Sequence, residues 1–183
     1  MTRTAILKVL AEQDRPGRHV FTIHELAKLL YATDQTAALK ATLQRMTRDG
    51  LLIRGAKGIY VYALSRHLGE DTIELVAKQM RRGEYNYISL ESALSEYGLI
   101  SQIPVDRLTL MTTGRSGEYR TPFGVIELVH TKRPLKALLD SMIERKRPLR
   151  FATKAAALRD LRRVGRKNTS SIKRHAMKPK AED

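Results

Sequence analysis

The sequence predicts an α+β fold on three observations. Apolar residues recur at helical spacing in three stretches before residue 50, and β-branched and aromatic residues flank a glycine-rich turn between residues 51 and 62. Two further strand patterns cover residues 108–113 and 125–131. At 183 residues with 42% hydrophobic content, the chain has room for two small cores.

The first segment, residues 1–64, is expected to form a domain of three helices and a hairpin. A helix over residues 2–13 comes first, and Thr22 and Glu25 have the spacing of a capping box at the start of the second. The third helix is expected to begin at a cap at Thr33 or Asp34 and to end at Asp49-Gly50, and the hairpin carries a tip at residues 54–58. Three helices followed by a hairpin is the order of a winged helix-turn-helix.

The charge is large and unevenly distributed. The net charge is +15, which implies a polyanionic partner. Residues 1–64 hold 10 Lys/Arg against 5 Asp/Glu, residues 65–130 hold 7 against 9, and residues 131–183 hold 17 against 5. We therefore expect basic surfaces at both ends of the chain and a near-neutral middle.

The third helix is the predicted reading element for double-stranded DNA. Leu39, Leu43 and Met46 form its apolar stripe, while small residues, Gln and Arg fall on the other side, where they can approach a groove and reach bases and phosphates. The predicted DNA-binding residues are Gln35, Thr36, Ala37, Lys40, Ala41, Gln44, Arg45 and Arg48, with Arg54 and Lys57 at the hairpin tip as phosphate contacts. The alternative is an ordinary solvated face on a module used for protein contacts.

The second segment, residues 72–166, is predicted to combine helices with a small sheet. After the two strands, helices are expected from Pro134 to Pro148 and over Lys154–Val164. The last helix has one apolar and one cationic side, which defines a second basic surface for nucleic-acid backbone or an acidic partner: Arg159, Arg162, Arg163, Arg166 and Lys167. The tail over residues 167–183 is predicted to be disordered when free.

Three strings carry a resemblance to a known family. They are YNYISLESALSEYGLI, LTLMTTGRSGEYRTPFGVIELVH and PLKALLDSMIERKRPLRFATKAAALRDLRRVGR. The chain resembles, from about residue 5 to 166, the AbiEi-type antitoxin and transcriptional regulator family of bacterial type IV toxin–antitoxin systems. The resemblance implies an N-terminal winged helix that binds operator DNA and a C-terminal domain needed for antitoxin activity. It also implies a nucleotidyltransferase-like toxin as the partner.

Several function classes are disfavoured by what the sequence lacks. It has no cysteine, its five histidines are scattered without ligand spacing, and no nucleophile elbow or phosphate loop occurs. We therefore predict no enzymatic activity, no cofactor and no metal. No run of about 18 apolar residues exists, so we predict a cytoplasmic protein without a membrane partner.

The leading hypothesis is therefore an antitoxin that represses its own operon and counteracts a nucleotidyltransferase-like toxin. Two alternatives stay open. One is a stand-alone transcriptional regulator, and the other is a protein- or RNA-interaction module that uses the basic C-terminal helix.

Overall fold

The computed structural model describes residues 2–31, 36–100 and 106–165. Its described residues form a mixed α+β structure, as the sequence predicts, with seven helices and two sheets. The elements, in chain order, are α1 (Arg3–Gln13), β1 (Val20–Thr22), α2 (Ile23–Tyr31), α3 (Thr36–Arg48), β2 (Leu52–Ala56), β3 (Ile59–Tyr62), α4 (Thr72–Met80), β4 (Asn86–Ile88), α5 (Leu90–Glu96), β5 (Arg107–Thr112), β6 (Gly117–Thr121), β7 (Gly124–His130), α6 (Leu135–Leu139), β8 (Met142–Ile143), β9 (Arg150–Ala152) and α7 (Lys154–Val164).

The chain divides into two compact units. Unit 1 comprises residues 1–83 with 119–124, and unit 2 comprises residues 84–118 with 125–183. The sequence had assigned residues 1–64 to the first domain, whereas unit 1 also includes α4. The predicted basic tail, residues 167–183, lies outside the described residues.

Unit 1 contains a three-stranded antiparallel sheet in the order β1-β3-β2. Helices α1, α2 and α3 share one apolar core with the strands, and its fully buried members include Ile6, Leu10, Leu26 and Leu43. The predicted capping box is confirmed: the Thr22 N–H donates to Glu25 Oε2 at 2.8 Å, and the Glu25 N–H donates to Thr22 Oγ1 at 3.2 Å. These reciprocal bonds fix the start of α2.

Helix α4 packs against all three strands of this sheet, and Gly55 in β2 lets it come close. A Cβ added at Gly55 would lie 3.1 Å from Val76 Cγ2 of α4. The glycine therefore serves the contact between helix and sheet, not the hairpin turn for which the sequence predicted it.

Replacing Gly55 with valine is expected to destabilise unit 1 by about 1–3 kcal/mol, because the added side chain overpacks the contact with Val76. Gly69→Val is the matched control, since nothing lies within 4 Å of the Cβ position at Gly69. Urea unfolding followed by circular dichroism measures both variants. Equal midpoints for the two would contradict the proposed close packing.

A buried histidine links β1 to α4. His19 is buried, and its Nε2 lies 3.2 Å from Thr72 Oγ1, while its Nδ1 has no hydrogen-bond partner among the described residues. Burial lowers the pKa of His19 below 6.5, which outweighs the opposing effect of the nearby Asp14 carboxylate; His67 adds to the lowering. The folded protein therefore favours neutral imidazole.

Unit 1 is accordingly expected to lose stability as the pH falls below about 6.5. In this range the unfolded chain binds a proton at His19 that the folded chain excludes, so stability decreases down to the folded pKa at up to about 1.4 kcal/mol per pH unit. Denaturant midpoints between pH 7.5 and 5 measure the slope. His19→Phe should flatten it, and His24→Phe, at an exposed position, should not.

The lowered pKa of Asp14 acts at a lower pH. Burial tends to raise this pKa, but hydrogen bonds from Ser65 Oγ and the Arg66 N–H, with the charges of His67 and His19, lower it below 3.8. The stability that this carboxylate contributes is present above pH 3.8 and is lost as the pH falls through the folded value. The Asp14 and His19 effects are therefore separable along a pH titration.

The second sheet is mixed, has six strands in the order β6-β7-β5-β4-β9-β8, and belongs mostly to unit 2. The β5–β7 and β4–β9 pairs are parallel, and the β4–β5 and β8–β9 pairs are antiparallel. Helices α5 and α7 pack against each other, with Leu90, Leu94 and Leu161 fully buried. The predicted strands are confirmed within a residue at each end as β5 and β7, and the predicted helix over Lys154–Val164 is confirmed as α7.

The helix predicted between Pro134 and Pro148 is wrong in length. Helix α6 ends at Leu139, and residues 142–143 form the edge strand β8, which pairs with β9. The Ser141 side chain caps α6 by donating to the Ala137 carbonyl at 2.5 Å, and the Thr153 N–H donates to the Ser141 carbonyl at 2.9 Å. Pairing with β9, which follows shortly after it in the chain, therefore overrides the helical periodicity of this stretch.

Candidate nucleic-acid interface

Helix α3 is fixed to the core of unit 1 by its apolar stripe. Leu39, Leu43 and Met46 are buried, as predicted. The helix ends in a Schellman motif, because the Leu51 N–H donates to the Met46 carbonyl at 2.9 Å and the Gly50 N–H donates to the Thr47 carbonyl at 3.1 Å. Gly50 has a φ of +72°, which the motif requires. The exposed face of α3 is therefore set by a packed stripe and a defined end.

The opposite face of α3 is exposed over its described length. Six predicted DNA-binding residues lie there: Ala37, Lys40, Ala41, Gln44, Arg45 and Arg48. From Ala37 to Arg48 this face spans about 16 Å, enough to cross a major groove. The helix contains no acidic residue, although Arg48 Nε lies 3.4 Å from Asp49 Oδ1 just beyond its end. Such an exposed pair contributes little, so the face stays cationic.

Two predicted DNA-binding residues, Gln35 and Thr36, come before Ala37 in the sequence. Gln35 lies outside the described residues, and so do the predicted caps Thr33 and Asp34. Thr36 is the first residue of α3, but its side chain is not among those described.

The hairpin tip is shorter than predicted. The sequence placed the tip at residues 54–58, but β2 continues to Ala56, so that only Lys57 and Gly58 form the turn. A register shift between Arg54 and Ala56 accommodates the extra residue, as a β-bulge does. Gly58 has a φ of +73°, the conformation that such a turn needs.

The two predicted phosphate contacts of the hairpin consequently occupy different positions. Lys57 is exposed at the turn, whereas Arg54 is exposed within β2 and pairs in register with Tyr60. The placement of Arg54 at the tip is therefore wrong. The tip is also anchored, because the Ile23 N–H at the start of α2 donates to the Gly58 carbonyl at 2.8 Å. Lys57 thus projects from a fixed turn.

The second basic surface lies on α7 in unit 2. Arg159, Arg162 and Arg163 are exposed, while Arg166 and Lys167 lie outside the described residues. Arg159 is engaged within the unit, since its Nη2 donates to Ser141 Oγ at 2.7 Å. Arg162 and Arg163 stand in the last turn of the helix, where cations also complement the helix dipole.

A buried carboxylate that the sequence did not predict, Asp160, lies on the same helix as these arginines. Asp160 is fully buried; its Oδ2 accepts from Tyr87 Oη at 2.9 Å and Ser89 Oγ at 3.0 Å, and its Oδ1 accepts from Arg133 Nη2 at 3.2 Å. Burial raises the pKa of Tyr87, and the Asp160 charge raises it further, so the phenol stays a donor. The sequence feature that could have predicted this burial is an Asp among the apolar residues of α7, between Ala157 and Leu161.

This carboxylate network holds α7 to β4 and to the chain after β7. Its donors come from β4 (Tyr87), from the residue that precedes α5 (Ser89) and from Arg133. Each Asp160 oxygen has a partner, as a buried charge requires. The position of the basic side of α7 therefore depends on this residue.

Metal-binding clusters and membrane-spanning helices are both absent from the described residues. Over residues 2–31, 36–100 and 106–165, no three His, Asp or Glu side chains converge to hold a metal ion. No helix in the same ranges is long and apolar enough to cross a membrane.

Comparison with known proteins gives a match among solved structures. No protein-family model matches the sequence, and no curated protein matches it. Among solved structures, the crystal structure of the RV2827C protein from Mycobacterium tuberculosis aligns with a TM-score of 0.49 at 14% identity, over 73% of this chain and 47% of that one. The chain spans about half the length of that protein.

Proposed function

We propose that the chain binds double-stranded operator DNA through α3 and the β2–β3 hairpin, represses its own operon and acts as the antitoxin to a nucleotidyltransferase-like toxin. The observation that carries the DNA-binding part is the acid-free, exposed face of α3 with Lys40, Gln44, Arg45 and Arg48. Arg and Gln are the side chains that read G and A edges in the major groove, and Lys supplies phosphate contacts.

The order of the elements in unit 1 supports a winged helix-turn-helix. Helices α2 and α3 are followed directly by a hairpin with a cation at its turn, Lys57. In a winged helix the second helix of the motif enters the major groove and the hairpin contacts the backbone. By this assignment α3 reads sequence, and Lys57 positions the protein on the duplex.

The antitoxin role rests on the resemblance of residues 85–130 and 134–166 to the AbiEi-type family. Within these residues, unit 2 carries the exposed basic side of α7. This surface is the candidate contact of unit 2 with the toxin or with a nucleic acid that the toxin uses.

DNase I footprinting on the DNA upstream of the chain's own reading frame tests the repressor function. A protected site at about 0.15 M salt, absent on a scrambled fragment of equal length, is expected. Absence of protection under these conditions would refute operator binding. The triple variant Lys40→Ala/Arg45→Ala/Arg48→Ala, altered only on the exposed face of α3, should abolish the footprint without changing the melting temperature of unit 1.

Co-expression with the neighbouring reading frame tests the antitoxin function separately. The chain should restore growth that the toxin arrests, and the triple variant of α3 should still restore it when both genes stand under an unrelated promoter. The exposed charge reversals Arg162→Glu and Arg163→Glu should weaken neutralisation if α7 carries it. Full neutralisation by that variant would place the activity elsewhere in the chain.

A further inference from the structure

Exposed apolar side chains cluster at one place in unit 2. Six large apolar side chains are exposed among the described residues, and three of them fall between residues 135 and 143. Leu135 is 47% exposed, Leu139 44% and Ile143 38%. Single exposed apolar residues are ordinary, but a group of three within nine residues calls for an explanation.

The three side chains belong to two elements in contact. Leu135 and Leu139 are one helical turn apart on α6, and Leu138, which is buried, anchors the helix. Helix α6 packs against β8, which carries Ile143. Strand β8 is the last in the sheet order, so its outer edge has no neighbouring strand within the described part of the chain. We name Leu135, Leu139 and Ile143 the α6–β8 patch.

Cationic side chains border this patch. Lys136 is exposed on α6 next to Leu135, and the exposed Lys132 lies in the chain just before the helix begins. On the α7 side, Arg159 reaches Ser141, which lies between Leu139 and Ile143, at 2.7 Å. Asp140 and Glu144 are the acidic residues between residues 132 and 144. Glu144 forms a salt bridge with Arg150, whose Nη2 lies 3.2 Å from Glu144 Oε1. The border is therefore positive overall.

We infer that the α6–β8 patch is a docking site for an acidic partner protein, which buries apolar side chains on the patch and places carboxylates against Lys132, Lys136 and Arg159. An apolar centre with a charged border is the usual arrangement of such an anchor point. The opposite charges would steer association and select the partner. The inference does not depend on operator binding, which is assigned to unit 1.

Charge argues against the other occupants. A second copy of the chain, at +15, would bring two basic borders together. The chain's own residues 166–183 hold six Lys/Arg against two Asp/Glu, so they are repelled from the same border. Nucleic acid would match the border but not the patch, because leucine and isoleucine offer no aromatic ring on which a base can stack.

A synthetic amphipathic helix of about 18 residues, long enough to fold, is the probe. Its leucines lie at i, i+4 and i+7, and glutamates flank them. Fluorescence anisotropy should show saturable binding to the full chain, weakened about tenfold by either Leu139→Ser or Lys136→Glu. Leu64→Ser is the matched control in unit 1, where an exposed leucine is removed far from the patch in sequence, and should leave the affinity unchanged.

Matched peptides and measurements separate the outcomes. A peptide with lysine for glutamate, and one with serine for leucine, should each bind at least about tenfold more weakly. Absence of saturable binding by the glutamate peptide, or equal affinities for all three, would overturn the proposal. A dimer in light scattering that Leu139→Ser dissolves would assign the patch to a second copy instead. Binding that appears only after removal of residues 166–183 would assign it to the chain's own end.

Discussion

Replacing Asp160 with asparagine is expected to destabilise unit 2 by about 3–5 kcal/mol. The substitution keeps the shape of the side chain but removes its charge, which leaves the largely buried Arg133 guanidinium without its carboxylate. Arg159, whose Nη2 lies 3.7 Å from Asp160 Oδ1, loses a weaker contact because its side chain is 45% exposed. Tyr87 and Ser89 lose a charged acceptor at the same time.

Thermal unfolding followed by circular dichroism measures this effect on the transition of unit 2. Asp140→Asn is the matched control, since Asp140 is exposed at the end of α6 and its neutralisation should change stability by less than about 0.5 kcal/mol. The double variant Asp160→Asn/Arg133→Met should recover part of the loss by removing the unpaired cation. A loss below about 1 kcal/mol for Asp160→Asn would show that the network contributes little to stability.

Gln44→Ala and Lys57→Ala are expected to impair DNA binding in different ways. Gln44 lies in the middle of the exposed side of α3, so its loss should reduce discrimination at the base that it reads by about 1–3 kcal/mol. Lys57 lies at the hairpin turn, so its loss should weaken binding to all sequences alike and reduce the salt slope by about one.

Anisotropy titrations on the operator, on single-base variants and at several salt concentrations measure both effects. Lys8→Ala, an exposed cation on α1 outside the proposed interface, is the control and should bind as the wild type does. Arg54→Ala should reduce affinity less than Lys57→Ala, because Arg54 lies within β2 and not at the turn. Equal effects of Gln44→Ala and Lys57→Ala on sequence preference would mean that α3 does not read the groove.

Local signals explain which parts of the fold could be predicted. The Thr22–Glu25 capping box, the glycine that ends α3 and the boundaries of α7 each depend on residues close in sequence, and the structure confirms them. The buried stripe of α3 follows from helical periodicity in the same way. Short-range hydrogen bonding and spacing were sufficient there.

The remaining features depend on strand pairing and contacts that no local sequence pattern marks. Strands β4, β8 and β9 have three residues or fewer, too short for a period-2 pattern, and they form because other strands lie beside them. Arg54 lies within a strand, and not at the hairpin tip, because a bulge extends β2 to Ala56. Asp160 resembled a surface residue of a basic helix, and its burial depends on partners more than 20 residues away.

The pairing of β4 with β9 has a consequence for the order in which the protein is made. Residues 87–88 find their parallel neighbours only at residues 150–151, so a nascent chain shorter than this has an incomplete centre in its second sheet. All three strands of the unit 1 sheet have been translated once the chain reaches residue 62. Domains generally fold as units during synthesis, the N-terminal one first. On the ribosome, α3 and its hairpin therefore have their strand partners while α6, β8 and α7 are still to be translated or paired.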